Sequence, residues 1–335
     1  MSRPRFVPDN FTFGLVLTVV LASFFPCTGS VAEVLDTVTA VAIGLLFFLH
    51  GAKLSRQAVV AGATHWRLHL LVLAFTFVAF PVLGVALKPL ALAVLTPELY
   101  LGILFLCVLP STVQSSIALN ALARGNVPAA ICSASASNFL GVFLTPALVG
   151  LLLASTQSGG SSLDSIMKIV VQLLLPFIAG QLSRPWIGAW VDGHKAMLKF
   201  VDQGSILLVV YTAFSASVIQ GLWQQVPVQT LLWLVGINCL LLAIALGLTS
   251  FAGRRLGFSR ADQATIVLCG SQKSLASGIP MAKVLFATNV VGMIVLPLML
   301  FHQIQLMVCS LVAQHYARRE EHEAGARGVQ ANAGV

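Results

Sequence analysis

Ten apolar runs separated by short connections account for most of this sequence. Hydrocarbon about 30 Å thick is crossed by about 20 helical residues rising about 1.5 Å each. Runs of this kind lie at about Phe11 to Phe25, Val38 to His50, Leu68 to Leu87, Leu99 to Leu122 and Ala129 to Leu153. Five more follow at about Ile166 to Leu182, Phe200 to Ile219, Val228 to Phe251, Ala264 to Phe286 and Val290 to Ala313. The second is short for a full crossing, which implies less tilt or a start nearer Val31. Of the 335 residues 58% are apolar and 9% charged, with a mean hydropathy of +0.93. Soluble domains carry about 25% charged residues. A soluble globule of this size leaves roughly a quarter of its chain surface exposed and could not hide so much apolar area. The chain is therefore read as an all-α polytopic membrane protein. A soluble enzyme, a secreted disulfide scaffold and a nucleic-acid binder are excluded. The six cysteines stand singly without a C-x-x-C pair and read as small packing residues. The first run lacks a small-residue cleavage site, so it is expected to stay as a span.

Orientation follows from the lysines and arginines, which favour the cytoplasmic side of short connections. With the N-terminus inside, fifteen of the 19 fall in inside segments, among them Arg3, Arg5, Lys53, Arg56, Arg67, Arg124, Arg184, Lys195, Lys199, Arg254 and Arg318. The outside connections hold only Lys88, while Lys168, Lys273 and Lys283 sit at or within span ends. This asymmetry predicts an even span count with both termini inside, in a plasma membrane, or the inner membrane of a bacterium. Residues 317–335 are charged and then poor in large side chains, and are expected to form a flexible cytoplasmic tail.

Two halves are suggested by a repeated pattern. Asn138-Phe-Leu-Gly141 to Pro146 and Asn289-Val-Val-Gly292 to Pro297 both read N-x-x-G-x-x-x-x-P, 151 residues apart. The stretch 154–164 reads as a linker between a first five-span block, residues 1–153, and a second, residues 165–316. Five is odd, so a second copy enters from the opposite side, which predicts inverted repeats. Each half also carries an interrupted span. The fourth is broken by Pro110-Ser-Thr-Val-Gln-Ser-Ser116 and the ninth by Cys269-Gly-Ser-Gln-Lys-Ser-Leu-Ala-Ser-Gly278. Proline cannot donate to the helical ladder, and dense hydroxyls offer the backbone other partners. Open backbone at bilayer depth persists only where it is buried in protein or lines a cavity. Broken helices in both halves therefore point to a central solute or ion site. Half-helix N-termini suit an anion, and unwound carbonyls suit a small cation.

Lys273 is the most informative side chain, because it falls inside the ninth span. A buried amine is costly unless paired, neutralised or wet. It can bind a substrate anion, replace a bound cation or exchange a proton; it can equally tether unwound segments by donating to carbonyls, or reach water along its stem. Gln272 beside it offers an amide oxygen to a cation or bridges helices. Thr112, Gln114, Ser115 and Ser116 at the first break, with Ser133, Ser135, Ser137 and Asn138 in the next span, supply neutral oxygens that suit a dehydrated sodium ion or a polar solute. Small residues also let membrane helices pack closely. Asn138 and Asn289, repeated at one place in each half, are expected to hydrogen-bond solute or crossing backbone. No acidic residue falls inside a span: Glu33, Asp36, Glu98 and Asp164 read as outside, Asp192, Asp202 and Asp262 as inside. His50, His65, His69, His194 and His302 lack metal-ligand spacing and read as core or interfacial. Nucleotide-binding loops and hydrolase triads are absent, which argues against a pump or an enzyme.

Leu109-Pro-Ser-Thr-Val-Gln-Ser-Ser116, Leu122-Ala-Arg-Gly-Asn126, Asn138 to Pro146 and Gly270-Ser-Gln-Lys-Ser274 together resemble the bile acid:sodium symporter superfamily. The match is to its divergent symporter-like, cation-antiporter-related branch, which includes the seventh human bile-carrier paralogue. The resemblance covers Phe11 to Ala313. It implies ten spans, two inverted five-helix repeats, a panel from the first two spans of each half, and a core in which the broken fourth and ninth helices cross. It further implies that Gln272 matches a sodium-binding glutamine, Ser116 falls near an asparagine of the fourth-helix break, and Ser133 and Ser137 fall near fifth-helix hydroxyls. The family's glutamate before the ninth-helix break is here apolar, around Leu268 or Cys269. The asparagine after the glutamine is Lys273, and a third-helix glutamine is Thr76. Losing a carboxylate and gaining an amine disfavours two sodium ions and leaves one ion, or a lysine standing in for one.

The sequence thus predicts a secondary carrier that moves a small organic, anionic solute by alternating access, coupled to sodium or protons. The candidate solute- and ion-binding residues are Thr112, Gln114, Ser115, Ser116, Ser133, Ser137, Asn138, Gln272, Lys273 and Asn289. Thr112, Ser116, Ser137 and Gln272 are the candidate sodium ligands; no organic cofactor is expected, and the partners are solute, sodium or proton and membrane lipid, with the protein a monomer. The alternative is a membrane regulator of calcium homeostasis that transports nothing itself.

Overall fold

The computed structural model describes residues 10–53, 65–154 and 163–332, and among them every regular element is helical. Fourteen helices are recognised, α1 Asn10–Phe24, α2 Gly29–Lys53, α3 Trp66–Ala86, α4 Lys88–Val94, α5 Pro97–Val108, α6 Gln114–Leu122 and α7 Val127–Ala154, followed by α8 Leu163–Gly193, α9 Lys195–Ile219, α10 Leu222–Gln225, α11 Val228–Arg255, α12 Arg260–Gly270, α13 Leu275–Leu285 and α14 Val291–Asn332. Six of them, α2, α3, α7, α9, α11 and α14, are long and apolar enough to cross a membrane, and α1 and α5 are shorter apolar helices. Large apolar side chains face outward along them: Phe200 is 75% exposed, Leu151 68% and Leu232 68%. In water such a surface would be a binding or aggregation patch. On helices of this length it is a lipid-facing surface, so the protein is membrane-integral.

The second apolar run extends to Gly29, so it is long enough to span. The fourth and ninth runs are interrupted, with α5 and α6 separated by 109–113 and α12 and α13 by 271–274. The read linker at 154–164 falls largely outside the described residues, as do Arg3, Arg5 and Arg56; α14 continues into the segment read as a tail.

Helices α1, α2, α8 and α9 pack on one another as one layer, and α3, α5, α7, α11, α12 and α14 as the other. The first layer is pinned by two glycines. A Cβ on Gly51 would stand 2.0 Å from the Phe177 carbonyl oxygen, and one on Gly180 would stand 1.9 Å from that of Phe48. Only a bare Cα lets α2 and α8 approach this closely, the small-residue contact typical of membrane helices. Within the second layer, Gly141 seats the ring of Pro110 and Gly102 seats that of Pro297.

The repeated N-x-x-G-x-x-x-x-P pattern does not mark equivalent places. Asn138 lies well inside α7, whereas Asn289 precedes the start of α14 at Val291. The helices that resume after the breaks start at Gln114 and Leu275, 161 residues apart, and α7 and α14 start 164 apart. A spacing of 151 is some three helical turns out of register with both.

Candidate functional site

The two interruptions are built on the backbone of the first. Pro110 has no N–H, and after Val108 the chain turns extended at Leu109. The carbonyls from Leu106 to Ser111, and that of Cys269 opposite them, each have a partner. Leu106 accepts from Leu109 N at 3.3 Å, Val108 from Thr145 Oγ1 at 2.8 Å, and Pro110 from Ser274 N at 2.8 Å. Asn138 Nδ2 donates to Ser111 O at 2.6 Å, and Ser111 Oγ donates across to Cys269 O at 2.6 Å. Cys107 and Leu109 carbonyls are each taken by Lys273 Nζ at 2.8 Å.

The third hydrogen of the Lys273 ammonium goes to Thr76 O at 2.7 Å, and the amine stands 4.2 Å from the centre of the Phe80 ring. Thr76 is available for a local reason. Residues Phe75–Ala79 form a π-helical turn in which Phe80 N–H bonds to Phe75 O. The next donor in that register would be Pro81, which has none, so Thr76 O is left open. Lys273 is fully buried, and its three donors meet three carbonyls, so the amine occupies a socket a dehydrated cation would also fit. Of the arrangements open to it, the structure shows the tether between unwound segments.

The second interruption is braced by a residue the sequence reading passed over. Gln305, fully buried on α14, accepts from Lys273 N at 2.8 Å and donates to Lys273 O at 2.9 Å. Its signal was two glutamines, 303 and 305, inside an otherwise apolar run. Asn120 was passed over as well, and Asn126 was quoted only within the family motif. Thr265 Oγ1 donates to Asn120 Oδ1 at 2.8 Å, and Asn126 Nδ2 donates to Asp262 Oδ1 at 2.8 Å. The Ala-Arg-Gly-Asn turn, with Arg124 at φ 55°, thereby docks on the start of α12.

Between the breaks lies a cluster of oxygens. Thr112 Oγ1 is 2.7 Å from Gln272 Oε1, 3.0 Å from Ser116 Oγ and 2.5 Å from Ser115 Oγ. Ser115 and Ser116 Oγ lie 3.0 and 3.3 Å from the same amide oxygen. Three hydroxyls supply three hydrogens to these five contacts, so two contacts set lone pair against lone pair. As the amide stands, the cluster has surplus acceptors, while Gln272 Nε2 is buried with no partner. This donor set is neutral and without a carboxylate, so what it could offer a cation is hydroxyl and amide oxygen alone.

The other candidates separate. Ser137 is not in the cluster: its Oγ accepts from Ser111 N at 3.0 Å. Ser133 Oγ pairs with His69 Nδ1 at 2.6 Å. Asn138 joins the breaks, since Ser277 Oγ donates to its Oδ1 at 2.8 Å. Asn289 does not; it is exposed in the turn before α14, where its carbonyl accepts from Ser217 Oγ at 3.0 Å. Gln114 is exposed and lines a cleft between the two helix layers. That cleft has two adjoining lobes of about 340 and 210 Å³. Thr112, Ser115 and Ser274 line the larger, Ser135 and Phe177 the smaller, and Gln114, Asn138 and Ser277 both. His50 and Asp202, on the α2 and α9 wall, also face both lobes.

Interrupted apolar helices that meet at the floor of a cleft lined by polar and apolar groups define a class of membrane proteins that handle solutes or ions within the bilayer. Residues 9–318 match the family described as the SBF-like CPA transporter family (DUF4137), and the chain belongs to that family. It is similar to "Uncharacterized protein PA2026" of Pseudomonas aeruginosa, 68% identical over 326 residues, which are 97% of this chain and 98% of that one. It is 55% identical over 313 residues to "Putative symporter YfeH" of Escherichia coli K12, covering 93% and 94% of the two chains. Sodium/bile acid cotransporter 7 of Danio rerio is 30% identical over 309 residues, 90% of this chain and 91% of the relative.

Proposed function

We propose that the protein is a secondary carrier for a small organic anion, working by alternating access between the two helix layers. The observation that carries this reading is the cleft itself: a space between the layers with polar groups set among apolar walls, whose floor is the pair of interruptions. The relatives named as symporters and cotransporters support it.

Ten spans in two inverted five-helix repeats account for the packing. In that scheme α1, α2, α3, α5 with α6, and α7 correspond to α8, α9, α11, α12 with α13, and α14. Four pairs of contacts then exchange: α1 with α9 and α8 with α2, α3 with α7 and α11 with α14, α3 with α5 and α11 with α12, and α5 with α14 and α12 with α7. With both termini inside, the end of the cleft bearing Lys53 and Lys199 faces the cytoplasm, and the molecule is inward-open.

Lys273 acts in this scheme as a permanent substitute for a bound cation, holding by three hydrogen bonds the carbonyls that an ion would otherwise bridge. Coupling falls to one sodium ion at Thr112, Ser115, Ser116 and Gln272, or to protons. The test is uptake into proteoliposomes from a pool of organic acids, read by mass spectrometry, under sodium and pH gradients imposed separately. Sodium-driven uptake lost in Gln272→Leu is the expected result. Flux seen only when another membrane protein is added would replace the carrier with a regulator.

A further inference from the structure

The cleft contains a charged cluster that the crossing does not use. On its α2 and α9 wall, Lys53 Nζ pairs with Asp202 Oδ2, while Asp202 Oδ1 is buried with no partner. The pair is partly open, with the lysine side chain 31% exposed and the aspartate 16%. His50 stands beside it, its Nδ1 held on Leu46 O at 2.8 Å, which leaves Nε2 for the cleft. Lys199, one turn before Asp202 on α9, lines the larger lobe.

Among the described residues that line the two lobes, Asp202 is the sole carboxylate and Lys53 and Lys199 are the lysines. With neutral histidines the inventory is one charge in excess of neutrality, and that charge is positive. A single anionic group would balance it. The excess sits on the α2 and α9 wall and not at the crossing, because the Lys273 ammonium has no donor left and lines neither lobe.

The pair is not needed to hold its wall together. Helices α2 and α9 already pack on one another, and Leu49, Ala52 and Leu198 share a buried apolar cluster at this end. Lys53 also closes α2, where a cation at a helix C-terminus is favourable whether or not a carboxylate is near.

We propose that Lys53 is the headgroup subsite for a solute carrying one negative charge, and that Asp202 is its built-in, displaceable counter-ion. This rests on the carrier reading and locates the anion in it. When the solute's carboxylate takes Lys53, Asp202 is not stranded, because Lys199 lies three positions away on the same helical face. The remainder of the solute lies in the smaller lobe against Phe47, Phe139, Val142, Phe177 and Met281. Asp202 thereby sets specificity: it rejects neutral and cationic analogues less by contact than by holding the lysine until a competing anion arrives.

The proposal predicts opposite signs for the two halves of the pair. Purified protein is titrated with benzoate as the monocarboxylate probe and with benzamide as its neutral isostere, with bound ligand measured by equilibrium dialysis. Wild type is expected to bind benzoate in preference to benzamide. Lys53→Ala should weaken benzoate about tenfold or more, as for loss of a charged hydrogen bond, and leave benzamide unchanged. Lys53→Arg should restore it, and Asp202→Asn should strengthen benzoate several-fold by freeing the lysine. Equal weakening in Lys53→Ala and Asp202→Asn would show a plain structural brace and overturn the proposal. Absence of benzoate binding in folded wild type would overturn it too. Benzoate counterflow in proteoliposomes separates the two readings. Flux that ignores both substitutions keeps the carrier and removes the subsite; binding with opposed signs but no flux keeps the subsite and removes the carrier.

Discussion

Lys273 and Lys53 are both amines within a protein that is 9% charged, and they are used in opposite ways. The first directs its three donors at one carbonyl oxygen each of α3, of the end of α5 and of the break after it, and is sealed from the cleft. The second shares one carboxylate at the cleft wall and stays partly open. A membrane-buried charge marks a functional place by default, but its hydrogen-bond balance decides the kind of function. A saturated amine holds architecture; an amine with one exchangeable partner can answer a ligand.

Replacing Lys273 with Met tests that contrast most severely. The stem remains, but three buried carbonyls lose their donor at about 1–3 kcal/mol each. The expected outcome is loss of a monodisperse folded species by size-exclusion chromatography in mild detergent. A stable Lys273→Met protein would remove the distinction between the two lysines. Gln305→Leu should cost about 2–3 kcal/mol, from two hydrogen bonds to the Lys273 backbone. Thermal unfolding of that variant shows whether the socket depends on the second brace. In the other layer, Gly180→Ala forces a Cβ against the Phe48 carbonyl and should cost about 1–3 kcal/mol, read in the same unfolding assay. The smallest effect belongs to Lys53→Ala, within about 1 kcal/mol for a partly exposed pair, so its stability and its benzoate binding should come apart. The pair Lys283–Asp36 at 3.0 Å, between α13 and α2, is a control of similar stability effect that faces no lobe of the cleft.

Much of the crossing was legible because its signals are local. Proline, glycine and hydroxyls within ten residues announce an interruption, and a lysine between apolar neighbours announces a special environment. Gln272 and Thr112 were expected near one another and lie 2.7 Å apart. What could not be read depended on distance along the chain. Lys53 and Asp202 are 149 positions apart, each at a span end where charge is ordinary, and nothing local distinguishes them from solvated loop residues. Thr76 entered through the family resemblance as a replaced glutamine side chain, but it is the main-chain carbonyl that reaches Lys273, and only the π-turn explains why it is open. Asn289 was drawn in by the three-letter pattern, and it stands in the exposed turn before α14. Gln305, the residue that actually braces the second break, shares no letter with Asn138, because an amide can meet unwound backbone from many positions on a helix.

The π-turn at Phe75–Ala79 carries a consequence for motion. Unwound segments are ordinarily the loosest backbone in a bundle, the first to open and to exchange their amide hydrogens. Here the amine that enters the gap left by Pro81 fastens α3, the end of α5 and its own break into one block. The amides of Lys273 and Ser274 should then exchange with deuterium as slowly as those of the flanking helices. In the proposed carrier the slack needed for motion would then fall at the boundary between the two layers, with the two bodies sliding past one another and neither coming undone.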